Sequence, residues 1–332
     1  LIEDSSITEI MINGPDHIFV EKRGRMEEVP IQFSSKEKLL QIIQRIVGDC
    51  NRTVNEVSPI VDARLQNGSR VNVVLSPIAL NGPIVTIRKF PDCPLTIDQL
   101  ISWGSITKEA AEELRLYVQA GYNIFVSGGT GSGKTTFLNI LSDFIPKDER
   151  IITIEDSAEL QIQGIENLIR LETRNENVEG CHAITIRDLI KSSLRMRPDR
   201  IIVGEVRGSE AVDMITAFNT GHDGSMSTGH ANSARDMLSR LENMILMGMD
   251  IPLAAVKQQI ASAIDIMIHL GRIRDKSRRV LEITEIDGIQ DGEIKMHTLY
   301  EFTEDASPRI GILQKKGQLQ HVEKLKAAGL ML

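Results

Sequence analysis

The chain is poor in cysteine and lacks the cysteine patterns of disulfide frameworks and zinc sites. Its 332 residues include three cysteines, Cys50, Cys93 and Cys181, which lie far apart and form no C-x-x-C pair. Disulfide-stabilised domains and zinc ribbons use closely spaced cysteines, so both classes are disfavoured. The cysteine usage fits a protein of the reducing cytoplasm.

Aromatic residues and positive charge are also scarce. Aromatic residues make up 4% of the chain, and 38 basic against 46 acidic residues give a formal net charge of −8. Nucleic-acid binding needs a basic face, and single strands are also held by stacking on aromatic rings. We therefore expect no nucleic-acid partner and disfavour a RecA-like motor acting on nucleic acid, although a local basic patch remains open.

No apolar run is long enough to cross a bilayer. The nearest candidate, residues 251–270, is interrupted by Lys257 and Asp265, whereas a spanning helix needs about 20 mostly apolar residues. The sequence begins at Leu1 without an initiator methionine, so we expect an upstream segment. The length of the chain favours two domains.

The pattern of elements changes along the chain. We predict an N-terminal α/β domain over 1–90, a linker over 91–105 and a second α/β domain over 106–332. The first part alternates short strands with one helix, and Pro91 and Pro94 mark its end. The second part alternates helices with short apolar strands, which predicts a mostly parallel sheet with its ligand at the carboxyl ends of the strands.

The expected elements follow from apolar periodicity, turn signals and helix caps. In the first domain they are strands Ile7–Ile12, His17–Glu21, Ile60–Leu65, Arg70–Leu75 and Ile84–Arg88 and a helix over Ser35–Val47. In the second domain they are a helix capped by Thr107, strands over 123–127, Arg150–Ile154 and Arg200–Val203, and a helix over Thr185–Leu194.

A phosphate-binding loop is the most specific motif. Residues 128–135 carry the pattern G-x-x-x-x-G-K-[ST], preceded by an apolar strand and followed by a helical sequence. Such a loop points backbone N–H groups and a helix N-terminus at a phosphate, whereas a chance match is only a glycine-rich turn. We expect Lys134 to reach the β- and γ-phosphates of ATP and Thr135 to hold Mg²⁺. The expected ATP-binding residues are Gly128, Gly129, Thr130, Gly131, Ser132, Gly133, Lys134, Thr135 and Thr136.

Two strands end in carboxylates that suit nucleotide hydrolysis. The strand after the loop helix ends in Glu155 and Asp156, and strand Arg200–Val203 is followed by Gly204 and Glu205. Hydrolysis needs a carboxylate near Mg²⁺ and a group that orients water. We expect Glu205 to activate water and Glu155 and Asp156 to lie on the metal side, although which glutamate is the base stays open. The alternative is solvated strand ends or helix caps.

Two histidines lie in the glycine-rich stretch after the second acidic strand. His222 and His230 have no cysteine or third histidine nearby, so zinc is disfavoured. We expect both to sense the γ-phosphate by hydrogen bonding, against the alternative of ordinary surface histidines.

Basic residues form two further groups. Arg64, Arg70 and Arg88 lie in the predicted hairpin region, where they serve either as arginine fingers or in surface salt bridges. A basic run surrounds a predicted turn and comprises Arg272, Arg274, Lys276, Arg278 and Arg279. For this run we favour a solvated hairpin, and the alternative is a docking patch for acidic headgroups or a partner loop.

The chain resembles the ATPases of type II and type IV secretion and of type IV pili. Four blocks match in order: the phosphate loop Gly128–Thr136, an acidic box Thr153–Glu159, an atypical Walker B sequence Ile201–Arg207 and a histidine box Thr220–His230. The CpaF-type branch, the Tad/Flp pilus assembly ATPases, is most similar. Its match rests on Val61–Arg64, Gly68–Asn72, Thr86–Phe90, Arg170–Arg174, Ser193–Arg200 and Gly221–Thr228.

The resemblance has implications for assembly and function. It implies a homo-hexamer whose subunits carry a smaller α/β (PAS-like) N-terminal domain and a RecA-like P-loop ATPase domain, with ATP between them. It implies that the first-domain arginines approach the γ-phosphate. It also implies peripheral attachment to the cytoplasmic face of the inner membrane through a polytopic platform protein, with hydrolysis driving pilin extraction and pilus growth or retraction.

Departures from the family pattern leave other functions open. The tetracysteine zinc module of many type II secretion ATPases is absent, Ser157 replaces a proline common in the acidic box, and Gly229 replaces a bulkier residue. A conjugation-type secretion ATPase that exports protein or DNA is the alternative within enzymes. A nucleotide-gated scaffold with little hydrolysis is the alternative of another class.

Overall fold

The structure is a computed structural model that describes residues 1–22, 24–50, 52–90, 94–174, 182–304 and 311–331. Cys93 and Cys181 lie outside these residues, while the Cys50 thiol donates to the Arg64 carbonyl oxygen at 3.0 Å. The chain divides into two compact units, Leu1–Cys93 and Pro94–Leu332. No helix in the described ranges is long and apolar enough to cross a membrane.

The first unit is an antiparallel sheet with one helix. Its strand order is β3-β2-β1-β6-β5-β4. The elements are β1 Ile7–Asn13, β2 His17–Lys22, β3 Arg25–Glu28, α1 Lys36–Asp49, β4 Ile60–Arg64, β5 Arg70–Val74 and β6 Ile84–Arg88. Alternate side chains of β5 and β6 are buried and form one core with Leu39, Ile43 and Val47 of α1. The apolar period of two in the strands and the helical period in α1 therefore produce a two-layer unit.

The predicted elements of this unit are present, with small differences at their ends. Ser35 caps α1 by accepting from the Lys38 N–H at 3.2 Å, and the helix continues through Gly48, where the sequence predicts its end. The sequence did not predict β3. Its four side chains are all exposed, so it has no alternation of apolar and polar residues to reveal it.

The second unit contains a mostly parallel sheet, as predicted. Its strand order is β15-β14-β13-β12-β7-β11-β10-β8-β9, with parallel pairing from β12 to β9 and antiparallel pairing from β12 to β15. The strands are β7 Ile124–Gly128, β8 Ile151–Glu155, β9 Leu168–Glu172, β10 Arg200–Val203, β11 Met226–Gly229, β12 Ile266–Arg272, β13 Arg278–Gln290, β14 Glu293–Glu304 and β15 Gly311–Lys315. The helices are α2 Ile97–Ser102, α3 Lys108–Gln119, α4 Lys134–Ser142, α5 Ile186–Ser193, α6 Ala211–Phe218, α7 Ala234–Gly248, α8 Leu253–Ala263 and α9 Glu323–Ala327.

Helices cover both faces of this sheet. Every residue of β7, β8 and β10 is buried, which explains their continuous apolar sequences. In β7, Ile124 and Val126 join a core with α3 and α4, whereas Phe125 joins a second core with α5 to α8. Thr107 and Thr185 cap α3 and α5, as predicted from sequence.

One part of the predicted linker is helical. Helix α2 lies within 91–105, where Thr96 and Gln99 form a reciprocal capping box. Leu100 is buried against the core of the second unit. The proline-rich boundary therefore ends earlier than the sequence suggested, because a capped helix with one apolar anchor follows it.

The strand register brings several loops to one edge of the sheet. Ser127 lies opposite Gly229, and Val203 lies opposite Ile154. The phosphate loop, the acidic residues after β8 and β10 and the histidine after β11 all follow these carboxyl ends. Open parallel sheets bind their ligands at this edge.

Candidate functional site

The phosphate loop has the backbone geometry of an anion cradle. It connects β7 to α4, which begins at Lys134 and is capped by Gly133 with no side-chain hydrogen bond in the described structure. Gly131 and Gly133 adopt φ values of 68° and 98°, in the left-handed region that favours glycine. This geometry suits a helix N-terminus whose N–H groups face a phosphate.

The start of the loop is tightly packed. A Cβ atom on Gly128 would lie 2.5 Å from both the Leu270 carbonyl oxygen and the Ser132 Oγ, so only glycine fits. The Ser132 hydroxyl is buried and has no hydrogen-bond partner in the described structure. A buried hydroxyl without a partner is costly, which suits a loop that is completed by a ligand.

Lys134 crosses the loop toward the histidine box. Its side chain is buried, and its Nζ donates to the Gly129 carbonyl oxygen at 3.2 Å. The same Nζ lies 3.2 Å from Nδ1 of His230. It also lies 3.5 Å from Nε2 of the same ring. Since Lys134 can only donate, the shorter contact fits the tautomer that accepts at Nδ1 and carries its proton on Nε2.

His230 links the lysine to a carboxylate. Its Nε2 lies 2.8 Å from Oε1 of Glu205, although the two groups are not aligned as a hydrogen bond. Burial lowers the pKa of His230, with Lys134 and Arg207 adding to that effect and Glu205 opposing it. A neutral imidazole is consistent with its position beside the lysine ammonium.

Glu205 is also held by an arginine. Its Oε2 accepts from Nη2 of Arg207 at 2.8 Å, and Nη1 of Arg207 lies 3.8 Å from Oδ2 of Asp156. Sequence reasoning gave Arg207 no role of its own. The signal was its position two residues after Glu205 in the Walker B block.

The Glu155 side chain lies directly beside Gly204, the glycine that follows β10. A Cβ atom on Gly204 would lie 2.9 Å from Cγ of Glu155. The Glu155 side chain is 3% exposed, and its Oε2 accepts from the N–H groups of Glu159 at 2.7 Å and Leu160 at 3.0 Å. Burial raises the pKa of Glu155 to about 7 despite these hydrogen bonds. The glycine in the atypical Walker B sequence therefore makes room for a buried glutamate.

The donor groups fit Mg²⁺ bound together with a nucleotide. Oε1 of Glu155 is buried and has no hydrogen-bond partner in the described structure, and Thr135 lies in the first turn of α4. Among the described residues no group of three His, Cys, Asp or Glu side chains forms a metal cage. Mg²⁺ in nucleotide sites is held by one or two protein oxygens, phosphates and water, so such a cage is unnecessary. Asp156 faces Thr173 and Arg207.

The structure does not bring His222 to this cluster within the chain. Its Nδ1 lies 3.2 Å from the Ala217 carbonyl oxygen, and its own carbonyl accepts from the Ser225 hydroxyl. These residues precede β11, whereas His230 follows it. The two histidines therefore lie beyond opposite ends of this strand. His222 instead bonds to the end of α6.

Two arginines of the basic run bind the phosphate loop. The Nε atoms of Arg272 and Arg278 donate to the Gly131 carbonyl oxygen at 3.1 Å and 2.9 Å. Both side chains are exposed, as expected for a solvated hairpin, and each also bonds to the loop. The Arg274 side chain is also solvated and is 92% exposed. The sequence did not reveal that β12 pairs with the loop strand.

A further buried histidine lies beside the loop strand. His269 of β12 pairs with Ser127 of β7, and the Ser127 hydroxyl lies 2.9 Å from its Nδ1. Burial lowers the pKa of His269, and the nearby backbone of Asn232 opposes that effect. His269 thus connects the loop strand to the segment that follows His230. No motif in the sequence indicated it.

The three arginines of the first unit form one row. Arg64 lies opposite Arg70, and Arg70 lies opposite Arg88 across neighbouring antiparallel strands. Residues opposite each other share a face, here the one away from α1. The Arg64 guanidinium lies over the Phe90 ring at 5.9 Å, and Glu9 lies opposite Arg88. The structure therefore brings the predicted arginines together.

Comparisons with known proteins place these features in a family. Residues 1–319 match the family described as type II/IV secretion system protein. The conjugal transfer protein TrbB of Rhizobium radiobacter is 31% identical over 92% of this chain and 91% of its own length. The type IV secretion system protein PtlH of Bordetella pertussis is 34% identical over 85% of this chain and 91% of its own length.

A solved structure supports the fold. The pilus retraction motor PilT, crystallised with bound ADP, aligns with a TM-score of 0.61 over 97% of this chain and 82% of its own, at 19% identity. At that identity the similarity concerns the fold alone. The family match over residues 1–319 and the two relatives show that the chain belongs to the type II/IV secretion system protein family.

Proposed function

We propose that this chain is a Mg²⁺-dependent ATPase that works as a homo-hexameric motor in Tad/Flp-type pilus assembly. The observation that carries the proposal is the convergence of Lys134, His230 and Glu205 on the phosphate loop. A protein that only binds nucleotide needs the cradle but neither the carboxylate nor the imidazole. Hydrolysis needs positive charge on the phosphates and a group that orients water.

Each residue of the cluster has a role in this proposal. Lys134 moves from the Gly129 carbonyl oxygen and His230 onto the β- and γ-phosphates. Glu205, held at one oxygen by Arg207, orients and deprotonates the attacking water through the other oxygen. Neutral His230 donates from Nε2 to the γ-phosphate region. Glu155, Asp156 and Thr135 would hold Mg²⁺, and the ion would neutralise charge that develops on the phosphates.

The arginine row supplies further positive charge in the proposed ring. Arg64, Arg70 and Arg88 share one face of the first unit, so their guanidinium groups can act together on one phosphate group. We assign to this row the arginine-finger role, on a nucleotide bound by a phosphate loop in the hexamer. An arginine finger contributes about 10³–10⁵ in rate.

The motor action in this proposal depends on contacts that change with the bound nucleotide. ATP favours a closed state through contacts to its γ-phosphate, and hydrolysis removes them. The difference in nucleotide affinity between the two states is the source of the work. In this proposal the ring acts at the cytoplasmic face of the inner membrane on a polytopic platform protein and, through it, on the pilin or secretion machinery.

A conjugation-type secretion ATPase is the second candidate. TrbB is named as a conjugal transfer protein and PtlH as a type IV secretion system protein, and both align along most of their length. The CpaF-type motifs favour the pilus. The two functions are separated by measuring surface pili and DNA transfer in a strain that lacks the gene. The strain is complemented with either wild type or Lys134→Ala. Loss of surface pili supports the first candidate, and loss of DNA transfer with intact pili supports the second.

The ATPase rate per subunit, measured against protein concentration, tests the enzyme and its assembly. Lys134→Ala provides the blank, because it removes the charge on the phosphates. A rate that rises steeply and then saturates is expected for a site completed by neighbouring subunits. A constant rate above the blank contradicts completion between subunits, and a rate at the blank level contradicts the ATPase and favours the scaffold.

A further inference from the structure

The hairpin between β12 and β13 lies beside the phosphate loop on the side away from Glu205 and His230. Strand β7 has β11 as one neighbour and β12 as the other. Leu270 lies opposite Gly128, so β12 continues past the point where the loop begins. Arg272 follows two residues later, and Arg278 lies opposite it on β13. The register thus directs both arginines to the loop.

Both side chains meet at one carbonyl group. The Nε atoms of Arg272 and Arg278 lie 3.1 Å and 2.9 Å from the oxygen of Gly131. Charge-assisted hydrogen bonds of this kind are stronger than neutral ones. Two guanidinium groups on a single acceptor hold that peptide in one orientation.

The loop glycines leave space for these arginines. A Cβ atom on Gly131 would lie 2.8 Å from Nη2 of Arg272, and one on Gly133 would lie 3.5 Å from Cδ of Arg278. Gly131 has a φ of 68°, in the left-handed region. In such turns the carbonyl points outward while successive N–H groups point into the anion-binding concavity. Holding the Gly131 carbonyl in one orientation therefore also holds the N–H groups of the loop in place.

We propose that Arg272 and Arg278 form a clamp that sets the nucleotide affinity of the phosphate loop. The clamp keeps the loop N–H groups directed at the phosphates and places two positive charges behind the cradle. It acts on binding, since it lies on the opposite side of β7 from Glu205 and His230. Both arginines are positioning residues. The inference rests on the proposed function, because it assigns the nucleotide as the ligand of the same loop.

The test is the dissociation constant of Mg-ADP, measured by titration calorimetry for the full chain. ADP binding requires the loop but no hydrolysis. We expect Arg272→Gln with Arg278→Gln to weaken binding at least about tenfold, equivalent to about 1.4 kcal/mol. The loss should appear mainly in the KM for ATP and less in the turnover number, since the hydrolytic residues are unchanged. Arg274→Gln is the matched control, with an exposed side chain of the same hairpin near Glu304.

Two further measurements separate a clamp from general damage to the hairpin. The salt dependence of ADP affinity should become shallower in the double glutamine variant, because two charges are lost near the phosphates. The double lysine variant should recover that salt dependence but only part of the affinity, because lysine lacks the guanidinium fork.

The outcomes distinguish this inference from the proposed function. Unchanged ADP affinity in the double glutamine variant, beside a wild type that binds ADP, overturns the clamp and leaves the ATPase intact. An equal loss in Arg274→Gln also overturns it, because the effect then belongs to the whole hairpin. Wild type that binds ADP but never releases phosphate from ATP contradicts the proposed hydrolysis, while the affinity comparison still decides the clamp.

Discussion

The Cα of Gly204 faces the side chain of Glu155 so closely that a Cβ atom there would lie 2.9 Å from Glu155 Cγ. Glu155 ends β8 and Gly204 follows β10, and the two strands pair in parallel. The carboxylate of Glu155 on β8 thus lies beside the glycine that follows the neighbouring strand β10. The position of Glu155 therefore leaves no room for a larger residue at Gly204 unless that side chain shifts.

Gly204→Ala is therefore predicted to displace Glu155 and to lower Mg²⁺-dependent turnover. The new methyl group overlaps Cγ, and the buried carboxylate loses its hydrogen bonds to the N–H groups of Glu159 and Leu160. Overpacking of this kind costs about 1–3 kcal/mol of stability. Thermal unfolding and ATPase titrations with Mg²⁺ measure the two effects. Gly48→Ala is the control, because a Cβ on this helical glycine has open space.

A wild-type Mg²⁺ titration curve in Gly204→Ala would show that Glu155 does not depend on the glycine. A similar loss of turnover in Gly48→Ala would point to a general effect of added bulk. Helical glycine-to-alanine changes at open sites are instead neutral or stabilising by about 0.5–1 kcal/mol.

His230 and His222 are predicted to differ in their effect on turnover. His230 lies against Lys134 and Glu205, whereas His222 lies at the opposite edge of the sheet against Ala217. We expect His230→Asn to reduce the turnover number by about 10² or more, as for a lost transition-state hydrogen bond. His222→Asn should have a much smaller effect. Steady-state kinetics at saturating ATP compare the variants, and equal losses would contradict the assignment of His230.

The pH dependence of stability is predicted to change when His269 is replaced. Burial lowers the pKa of His269 below its ordinary value of 6.5. The unfolded state therefore binds the proton more readily, and the contribution of the neutral imidazole is complete above pH 6.5. That contribution is lost as the pH falls from 6.5 through the lower folded-state pKa.

Urea unfolding of wild type and His269→Gln at pH 8, 6.5 and 5 measures this effect. The free energy of unfolding of wild type should fall more steeply toward pH 5 than that of the variant, because glutamine does not titrate. Parallel curves would show that the buried imidazole is not a source of acid sensitivity.

The arginine row is predicted to act on the nucleotide of a neighbouring subunit. Arg70 is the middle residue of the row, so Arg70→Gln should reduce turnover by about 10³-fold or more if it is a finger. Its ADP affinity should remain near wild type. Arg45→Gln is a charge-matched control on the exposed side of α1.

Mixing Arg70→Gln with Lys134→Ala tests whether the arginine comes from another subunit. The first protein supplies an intact phosphate loop and the second supplies an intact arginine row. A mixture more active than either protein alone supports completion between subunits. A mixture no more active than the sum of its components contradicts it.

The parts of the site that depend on local sequence were predictable. The phosphate loop is one continuous segment, and the caps Ser35, Thr107 and Thr185 accept from residues three positions away. The position of Glu205 was also predictable, because it lies two residues after an apolar strand in a chain that carries a phosphate loop. Each of these features is encoded within a few residues.

The parts that depend on strand pairing were not predictable. Arg272 and His269 reach the loop because β12 pairs with β7, about 140 residues earlier in the chain. Likewise, the sequence grouped His222 with His230, but four-residue β11 separates their loops by about 13 Å at 3.3 Å per residue. The strand order explains both the contacts of Arg272 and His269 and the separation of His222 from His230.

The central claim is that the chain hydrolyses ATP with Glu205 as the base. Phosphate release from Mg-ATP by wild type and by Glu205→Gln tests it most directly, with ADP affinity measured to show that both proteins bind nucleotide equally. Glutamine keeps the shape of Glu205 but cannot take a proton from water and loses the charge that pairs with Arg207. The account predicts Lys134-dependent release by wild type and a loss of about 10² or more in Glu205→Gln, with nucleotide still bound. Equal release by Glu205→Gln would contradict Glu205 as the base, and no release by wild type above the Lys134→Ala blank would contradict the ATPase.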